Sequence, residues 1–447
     1  MDDIDRAMAG AIVRRVRAGT VESFMSQGDG CGWCRRPVRL RGSVTVDDDG
    51  RRRTVFSSRV LPDGVVLKAC GSRRETQCPS CATVYRDDPR HLVRAGLVGG
   101  KGVDEAVATH PAVLLTLTAP GFGPVHAVRD GNPCRPAATP ARCEHGGPFG
   151  CRSVHREDDE LVGTPLCPDC YDYEGALLQN ACTSELWRRT TIYVHRQLAA
   201  VLGVTQAETR RQVRLCFCRV AEYQRRGVVH LHAVVRADAP DGRPPPVDGD
   251  QLALACLRAA RAVTVPHPRG TASWGTEVDA QVLERADGRA KKVAGYVAKY
   301  ATKSSEGSGV LDQPIRSAED LDRRVLDPHT RRMVETAWRL GADPAFADLG
   351  LARHAHTLGY GGHFLTKSRR YSTTFGALRG ARAEWRARRR NGVVPGDPSV
   401  VSHWDLVGIG WANQGEAWFA DWQRLRRAEE RKVYNEDRYE GRLEPFD

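Results

Sequence analysis

No stretch of this sequence approaches the roughly 18 consecutive apolar residues that a membrane-spanning helix needs. Its longest apolar runs, such as Ala112–Leu117, are the size of a strand. The opening residues, Met1-Asp2-Asp3, lack the basic segment and apolar core of a secretory leader, so the chain is expected in the reducing cytoplasm, with no membrane partner. No internal repeat with a fixed period appears. There is also no G-x-x-x-x-G-K-[ST] phosphate loop, so no helicase motor is expected within the chain.

The chain has 447 residues, 27% of them charged and 41% hydrophobic, which reads as globular rather than disordered, with room for roughly three domains. Lys and Arg number 67 against 55 Asp and Glu, a formal net charge of +12. A surplus of that size favours an anionic partner, nucleic acid or a membrane surface. Fourteen cysteines in a reducing compartment, several spaced as Cys-x-x-Cys, point to zinc rather than to disulfides.

Element order is informative from residue 112 onward. Ala112–Thr118 reads as a buried strand, and an insert rich in Pro, Gly, Cys and His covers 119–170. Helical spacing follows over Ser184–Leu202. Strands over Val213–Ala221 and Val228–Arg236 are joined by Gln224-Arg225-Arg226-Gly227, then come a helix over Gln251–Arg261, a weaker strand over Trp274–Val282 and a helix over Ala290–Thr302. Without the insert the order is β-α-β-β-α-β, which predicts an α+β fold with a ferredoxin-like (RRM-like) antiparallel sheet. Before it lie a helix over Ile4–Ala18, short strands over Ser43–Val46 and Gly64–Ala69, and a glycine-rich hinge over Gly96–Gly102. Residues 311–447 read as mostly helical, with Trp418, Trp422 and Leu425 on a packed amphipathic helix. The domains expected are an N-terminal zinc-ribbon-like region (1–105), a sheet domain (106–310) with a zinc-binding insert (131–183), and a basic helical region (311–447).

The chemistry centres on His230-Leu231-His232. Residues i and i+2 of a strand face the same side, so both imidazoles project from one face while Val229, Leu231 and Ala233 enter the core. A three-residue loop, Arg225-Arg226-Gly227, with glycine in the left-handed region, sets Glu222 directly opposite His230. Two imidazoles and a carboxylate leave coordination positions open and suit Mg²⁺ or Mn²⁺ as a Lewis acid. The plainer alternative is that Glu222 pairs with Arg225 or Arg226 in solvent. Further on, Tyr296 and Tyr300 share a helix face, and Lys299 and Lys303 each follow a tyrosine by three. A phenol is a poor nucleophile until a cation stabilises its oxyanion.

The His-hydrophobic-His motif, the Tyr-x-x-Lys helix and the strand Leu115-Thr116-Leu117-Thr118 together resemble the three motifs of rolling-circle replication initiators, the HUH endonucleases. Longer blocks resemble the initiators of actinobacterial plasmids and integrative elements: LTLTAPGFGPVH (115–126), CPDCYDYEGALLQN (167–180), ELWRRTTIYVHRQLA (185–199), VAEYQRRGVVHLHAVVR (220–236), VAGYVAKYATK (293–303) and HTLGYGGHFLTKSRRYSTTFGALR (356–379). The resemblance implies tyrosine attack on one phosphodiester of origin DNA, single-stranded at the nick. The products are a 5′-phosphotyrosyl enzyme and a free 3′-OH that primes synthesis. It matches His230 and His232 to the metal-binding histidines and Glu222 to the acidic ligand. Tyr300 matches the nucleophile of single-tyrosine initiators, and Tyr296 the second tyrosine of bacteriophage initiators. A host helicase and DNA polymerase are implied partners.

Two structural zinc ions are expected. Cys31, Cys34, Cys78 and Cys81 form one Cys₄ set with Cys70 spare. Cys167 and Cys170 with Cys143 and Cys151 form the other, with His145 and His155 as rival ligands and Cys134 within reach. Cys182, Cys216, Cys218 and Cys256 read as buried apolar residues. Residues 351–390 carry ten Lys/Arg and one acid, Glu384. Lys367, Arg369 and Arg370 beside Tyr371 and Phe375, with Arg386, Arg388, Arg389 and Arg390, suit phosphate contact and base stacking. Two rivals stand beside the initiator. A relaxase or transposase of the same fold is disfavoured because relaxases generally carry the tyrosine near the N-terminus. A non-catalytic zinc-ribbon DNA-binding protein would leave no covalent product.

Overall fold

The computed structural model describes residues 3–48, 51–136, 142–240, 244–283, 292–293, 295–297, 314–390 and 400–439. The chain divides into two compact units, Met1–Asp88 with Gly376–Asp447, and Pro89–Phe375. This grouping differs from the linear division read from the sequence, because strand Val400–Ile409 pairs with strand Val38–Asp48.

In the larger unit, β1 (Ala112–Leu117), β2 (Arg214–Tyr223), β3 (Val229–Asp238), β4 (Val278–Val282) and β5 (Leu365–Lys367) form one antiparallel sheet, ordered β5-β2-β3-β1-β4. The fold is therefore mixed α+β with an antiparallel sheet. β2 and β3 are a hairpin, and β3 sits between β1 and β2. Alternation decides the faces. Leu115, Leu117, Val229, Leu231 and Ala233 are fully buried in one core with residues of two helices, α1 (Tyr173–Leu202) and α2 (Gly249–Ala262). Leu177, Leu186, Leu198, Leu252 and Ala259 are the helices' share, each leucine contributing about 1.5–3 kcal/mol by leaving water.

α1 begins eleven residues before Ser184, where the sequence pattern placed it. The Asp172 carboxylate accepts from the Gly175 N–H at 2.8 Å and caps the helix, and Gly203 ends it in the left-handed conformation. The weak strand expected over Trp274–Val282 is confined to Val278–Val282, since Trp274 turns inward and donates its Nε1–H to Thr190. Gly96 is no hinge: it lies within helix Pro79–Val98, and any side chain there would strike the Tyr371 ring. Of the helix expected over Ala290–Thr302, residues 292–293 and 295–297 are described and helical; the rest lie outside the described residues.

The second face of the sheet is closed at one end. Arg236 is fully buried, bonded bidentately to Asp238 at 2.6 and 2.8 Å and to the Gly96 carbonyl, with its guanidinium 5.4 Å from the Tyr371 ring. At the other end the same face carries Thr116, Glu222, His230 and His232.

In the smaller unit, strand Val38–Asp48 pairs with Arg51–Ser57, Val66–Lys68 and Val400–Ile409. The described residues of the C-terminal region are mostly helical, as expected, but residues 400–409 form a strand on Val38–Asp48 that the sequence pattern does not announce. Phe24, Trp33 and Trp411 are the aromatic core, with the two indoles stacked at 5.7 Å. On helix Gln414–Tyr439, Trp422 and Leu425 are 45% and 58% exposed; Ala420 and Gln423 face inward instead.

Asn180 of α1 is wholly buried. Its amide donates to the Gly227 and Leu358 carbonyls, both at 2.8 Å, and its oxygen accepts from the Val229 N–H at 2.9 Å. Asn180→Leu should cost at least about 3 kcal/mol, because three buried backbone groups lose their partner. Urea unfolding measures this; a loss below about 1 kcal/mol would mean that water reaches the turn.

Candidate metal and nucleophile site

The hairpin between β2 and β3 is set by its turn. The Gln224 N–H bonds the Val228 carbonyl and the Gly227 N–H bonds the Gln224 carbonyl, both at 2.9 Å, with Gly227 at φ 76°. The loop is therefore Arg225-Arg226-Gly227, and Glu222 lies directly across from His230. His230 and His232 approach with ring centroids 4.5 Å apart, and His232 Nε2 lies 3.5 Å from Glu222 Oε2.

Burial first, and then the neighbouring His232, pushes His230 down to about 4, against the opposing pull of Glu222. At neutral pH it is an uncharged imidazole with a lone pair to give. Tyr296, 40% exposed, stands edge-on to His232 with ring centroids 5.4 Å apart. Two imidazole nitrogens and a carboxylate oxygen form a mixed set that fits a divalent cation. Tyr300, Lys299 and Lys303 lie outside the described residues.

Two threonines escaped the sequence reading, although their strand had been noted. Thr118 Oγ1 is 3.0 Å from His230 Nδ1, and Thr116 Oγ1 is 3.4 Å from His232 Nδ1. Thr116 sits opposite His232 in the ladder, and Thr118 lies just past the end of β1, two residues on as His230 is from His232. Hydroxyls at Nδ1 orient the rings and leave Nε2 to face elsewhere.

The turn itself is gripped from three sides. The Arg226 carbonyl accepts from Tyr171 Oη and His329 Nε2, both at 3.1 Å. The Arg226 guanidinium donates to the Ala119 and Pro120 carbonyls, and that of Arg225 to the Asp159 and Glu157 carbonyls. Both guanidinium groups are thus engaged on backbone oxygens.

Three sets of Cys and His gather among the described residues, each with ligand atoms within 4.8 Å of one another. The first is Cys34, Cys70, Cys78 and Cys81, so Cys70 takes the place expected for Cys31. The Cys31 thiol instead donates to the Gly28 carbonyl at 3.3 Å. Cys70 belongs to no Cys-x-x-Cys pair, which hid it. The second is Cys143, His145, Cys167 and Cys170, with His145 in the place expected for Cys151. The third joins Cys151 to His126, Cys134 and His155. The expectation of two zinc sites becomes three candidate sets, of Cys₄, Cys₃His and Cys₂His₂ type, all of which suit tetrahedral zinc. Cys182, Cys216, Cys218 and Cys256 are buried, as expected of apolar residues.

The basic region is brought together only in part. Arg369 and Arg370 are exposed, while Lys367 is half-buried and donates to the Ser368 and Arg369 carbonyls. Tyr371 is not a stacking platform: it is fully buried, with its hydroxyl on the Val93 carbonyl at 3.1 Å. Arg386, Arg388, Arg389 and Arg390 fall within helix Phe375–Arg390, and their side chains lie outside what is described.

Two measurements check this geometry. Cys70→Ser should lower the zinc content by one ion per chain and Cys31→Ser should leave it unchanged, read by elemental analysis; the reverse pattern would restore Cys31 as a ligand. His230 is the second. A histidine whose folded value lies below its unfolded value binds fewer protons when folded, so its stabilisation is full above about pH 6.5 and drains away toward pH 4. Metal-free protein should lose about 2–3 kcal/mol across that window through this group. In urea titrations His230→Gln should lack that increment; parallel pH slopes for the two proteins would contradict it.

Comparison with known proteins agrees with this organisation. The family model described as "Replication initiator protein, pSAM2" matches residues 20–424. A curated protein of Streptomyces ambofaciens named "Replication initiator protein" is 37% identical over 433 residues, covering 91% of each chain. No solved structure matches the chain. No described helix is long and apolar enough to cross a membrane. Match and identity run almost end to end, through both units, and this chain belongs to the RepSA family of replication initiator proteins.

Proposed function

We propose that this initiator nicks one strand of its replication origin by tyrosine attack, as an HUH endonuclease with a ferredoxin-like sheet. The carrying observation is the approach of His230, His232 and Glu222 on one face of the sheet, with the Tyr296 ring 5.4 Å from that of His232. The strand order β4-β1-β3-β2, with β3 inserted in a split β-α-β unit, supports the fold reading. The endonuclease domain read over 106–310 falls within the larger unit.

In this reading His230, His232 and Glu222 hold Mg²⁺ or Mn²⁺, which when bound supplies Lewis-acid stabilisation of charge on the scissile phosphate. Thr116 and Thr118 keep the two rings turned toward the phosphate. A phenol oxygen of the Tyr296/Tyr300 pair forms a bond to phosphorus, and the bond from phosphorus to the 3′ oxygen breaks. The phenolic proton ends on that oxygen, leaving a 3′-OH primer and a 5′-phosphotyrosyl ester. Lys299 and Lys303, each three residues after a tyrosine in sequence, favour the phenolate in this reading. The ester retains the phosphodiester's energy, so the reverse transfer rejoins the strand.

Lys367, Arg369 and Arg370, together with Arg386, Arg388, Arg389 and Arg390, contact DNA phosphates in this proposal. The cysteine sets hold structural zinc, and host helicase and polymerase extend the primer in the cytoplasm.

Incubation with labelled single-stranded origin DNA and Mn²⁺ should yield a covalent adduct on a denaturing gel. His230→Ala should reduce it at least about 100-fold. Tyr300→Phe and Tyr296→Phe, tested singly, identify the attacking oxygen: the nucleophile's variant gives no adduct. Binding without an adduct under all metal conditions would leave a non-catalytic DNA-binding protein.

A further inference from the structure

We infer that His126, Cys134, Cys151 and His155 form a third zinc site, and that its ion is a strut holding the β2–β3 hairpin in its working position. The second half rests on the nicking reading above. His126 Nδ1 and His155 Nε2 are 3.1 Å apart, and the Cys151 thiol is 3.3 Å from His155 Nε2. All four donor atoms lie within 4.8 Å of one another. Two thiolates and two imidazoles match zinc in type and number, and the two thiolate charges neutralise the ion.

The surroundings are those of a built site. Asp159 Oδ2 lies 2.5 Å from His155 Nδ1, a carboxylate that fixes the ring so that Nε2 is presented to the centre. The Ala127 N–H donates to the Cys134 sulfur at 3.1 Å, stabilising a thiolate. Reciprocal backbone bonds of 2.8 Å between Arg135 and Cys151 set the two cysteine segments side by side.

The residue that orients His155 also touches the hairpin. Arg225, in the turn between Glu222 and His230, donates to the Asp159 carbonyl at 3.0 Å and to the Glu157 carbonyl. Gly163 presses against the same arginine: a side chain there would come within 2.3 Å of the Arg225 Cβ, and its φ of 92° also disfavours one. A cleft of about 580 Å³ has His126, Glu157 and Gly163 on one wall and Glu222 and Arg225 on the other. The segment between His126 and Gly163 contributes few buried apolar side chains, so a metal is what would hold that wall rigid. Losing it frees the carbonyls that Arg225 uses, and with them the alignment of Glu222 toward His232.

The test uses the full-length protein, with zinc counted by elemental analysis after exhaustive dialysis. The native chain should hold three ions, and Cys134→Ser/Cys151→Ser should hold two. Two ions in the native chain, or three in the variant, overturn the site. For the strut, Gly163→Ala and Arg225→Ala keep all four ligands, so they remain informative if the cysteine variant fails to fold. Each should keep three zinc ions and raise the Mn²⁺ concentration for half-maximal nicking about tenfold, the effect of disturbing groups that support a metal ligand. Mn²⁺ binding followed by paramagnetic resonance in a Tyr296→Phe/Tyr300→Phe background should weaken in parallel. An unchanged Mn²⁺ response in both variants overturns the strut. If the native chain forms no phosphotyrosyl adduct, the nicking reading falls, and the zinc count still decides the site.

Discussion

The β2–β3 turn buries backbone polar groups that the rest of the site depends on. Backbone groups at a hairpin tip usually face water, but here the Gly227 carbonyl, the Val229 N–H and the Arg226 carbonyl are enclosed and must be bonded from within. Asn180, Tyr171 and His329 meet that requirement, and they come from two stretches of chain far apart in sequence, α1 with the residues just before it and helix Pro328–Gly341. The same constraint fixes Glu222 and His230. A one-residue slip of the ladder would send both to the hydrophobic face and would leave the clamp with no partners. Register, burial and the placement of the site are thus a single condition.

Local rules made much of this legible in the sequence. Alternation around His230 and His232 and a glycine third in the loop are short-range facts, and the hairpin register follows from them. The mixed α+β character and the antiparallel sheet follow from element order. Legibility fails where a residue's partner is distant. Cys70 stands alone in sequence and finds its companions only through folding, whereas Cys31 has ideal spacing and points away. Tyr371 looks like a stacking aromatic beside Arg369 and Arg370, yet the buried Arg236 guanidinium needs a ring above it and takes Tyr371. Strand Val400–Ile409 was invisible for a related reason: its apolar residues are partly exposed, so its pattern has no clean hydrophobic face.

The cysteines offer a loop-rich chain a second means of holding its shape. The segment between His126 and Cys170 has few buried apolar side chains among its described residues, whereas the Cys34 set sits within the aromatic core of Phe24, Trp33 and Trp411. Four thiols, or thiols with imidazoles, are gathered here from residues far apart in sequence, the donor sets by which coordination can substitute for packing. The sheet domain needs no such help, since α1 and α2 cover one face with leucine and alanine. Within the larger unit the two candidate Cys/His sets lie in the segment between β1 and α1, and the sheet's own order is hydrophobic.

The pairing of Val38 with Ile409 has an implication for how the protein is made. A ribosome must finish almost the whole chain before strand Val38–Asp48 meets its C-terminal neighbour, an interval on the order of half a minute at ordinary elongation speeds. During that wait one β-edge lacks its partner and the Trp33 indole lacks Trp411, while Pro89–Phe375 emerges and can condense by itself. Completion in this molecule lags furthest behind synthesis at its first-made segment, which must await its last strand.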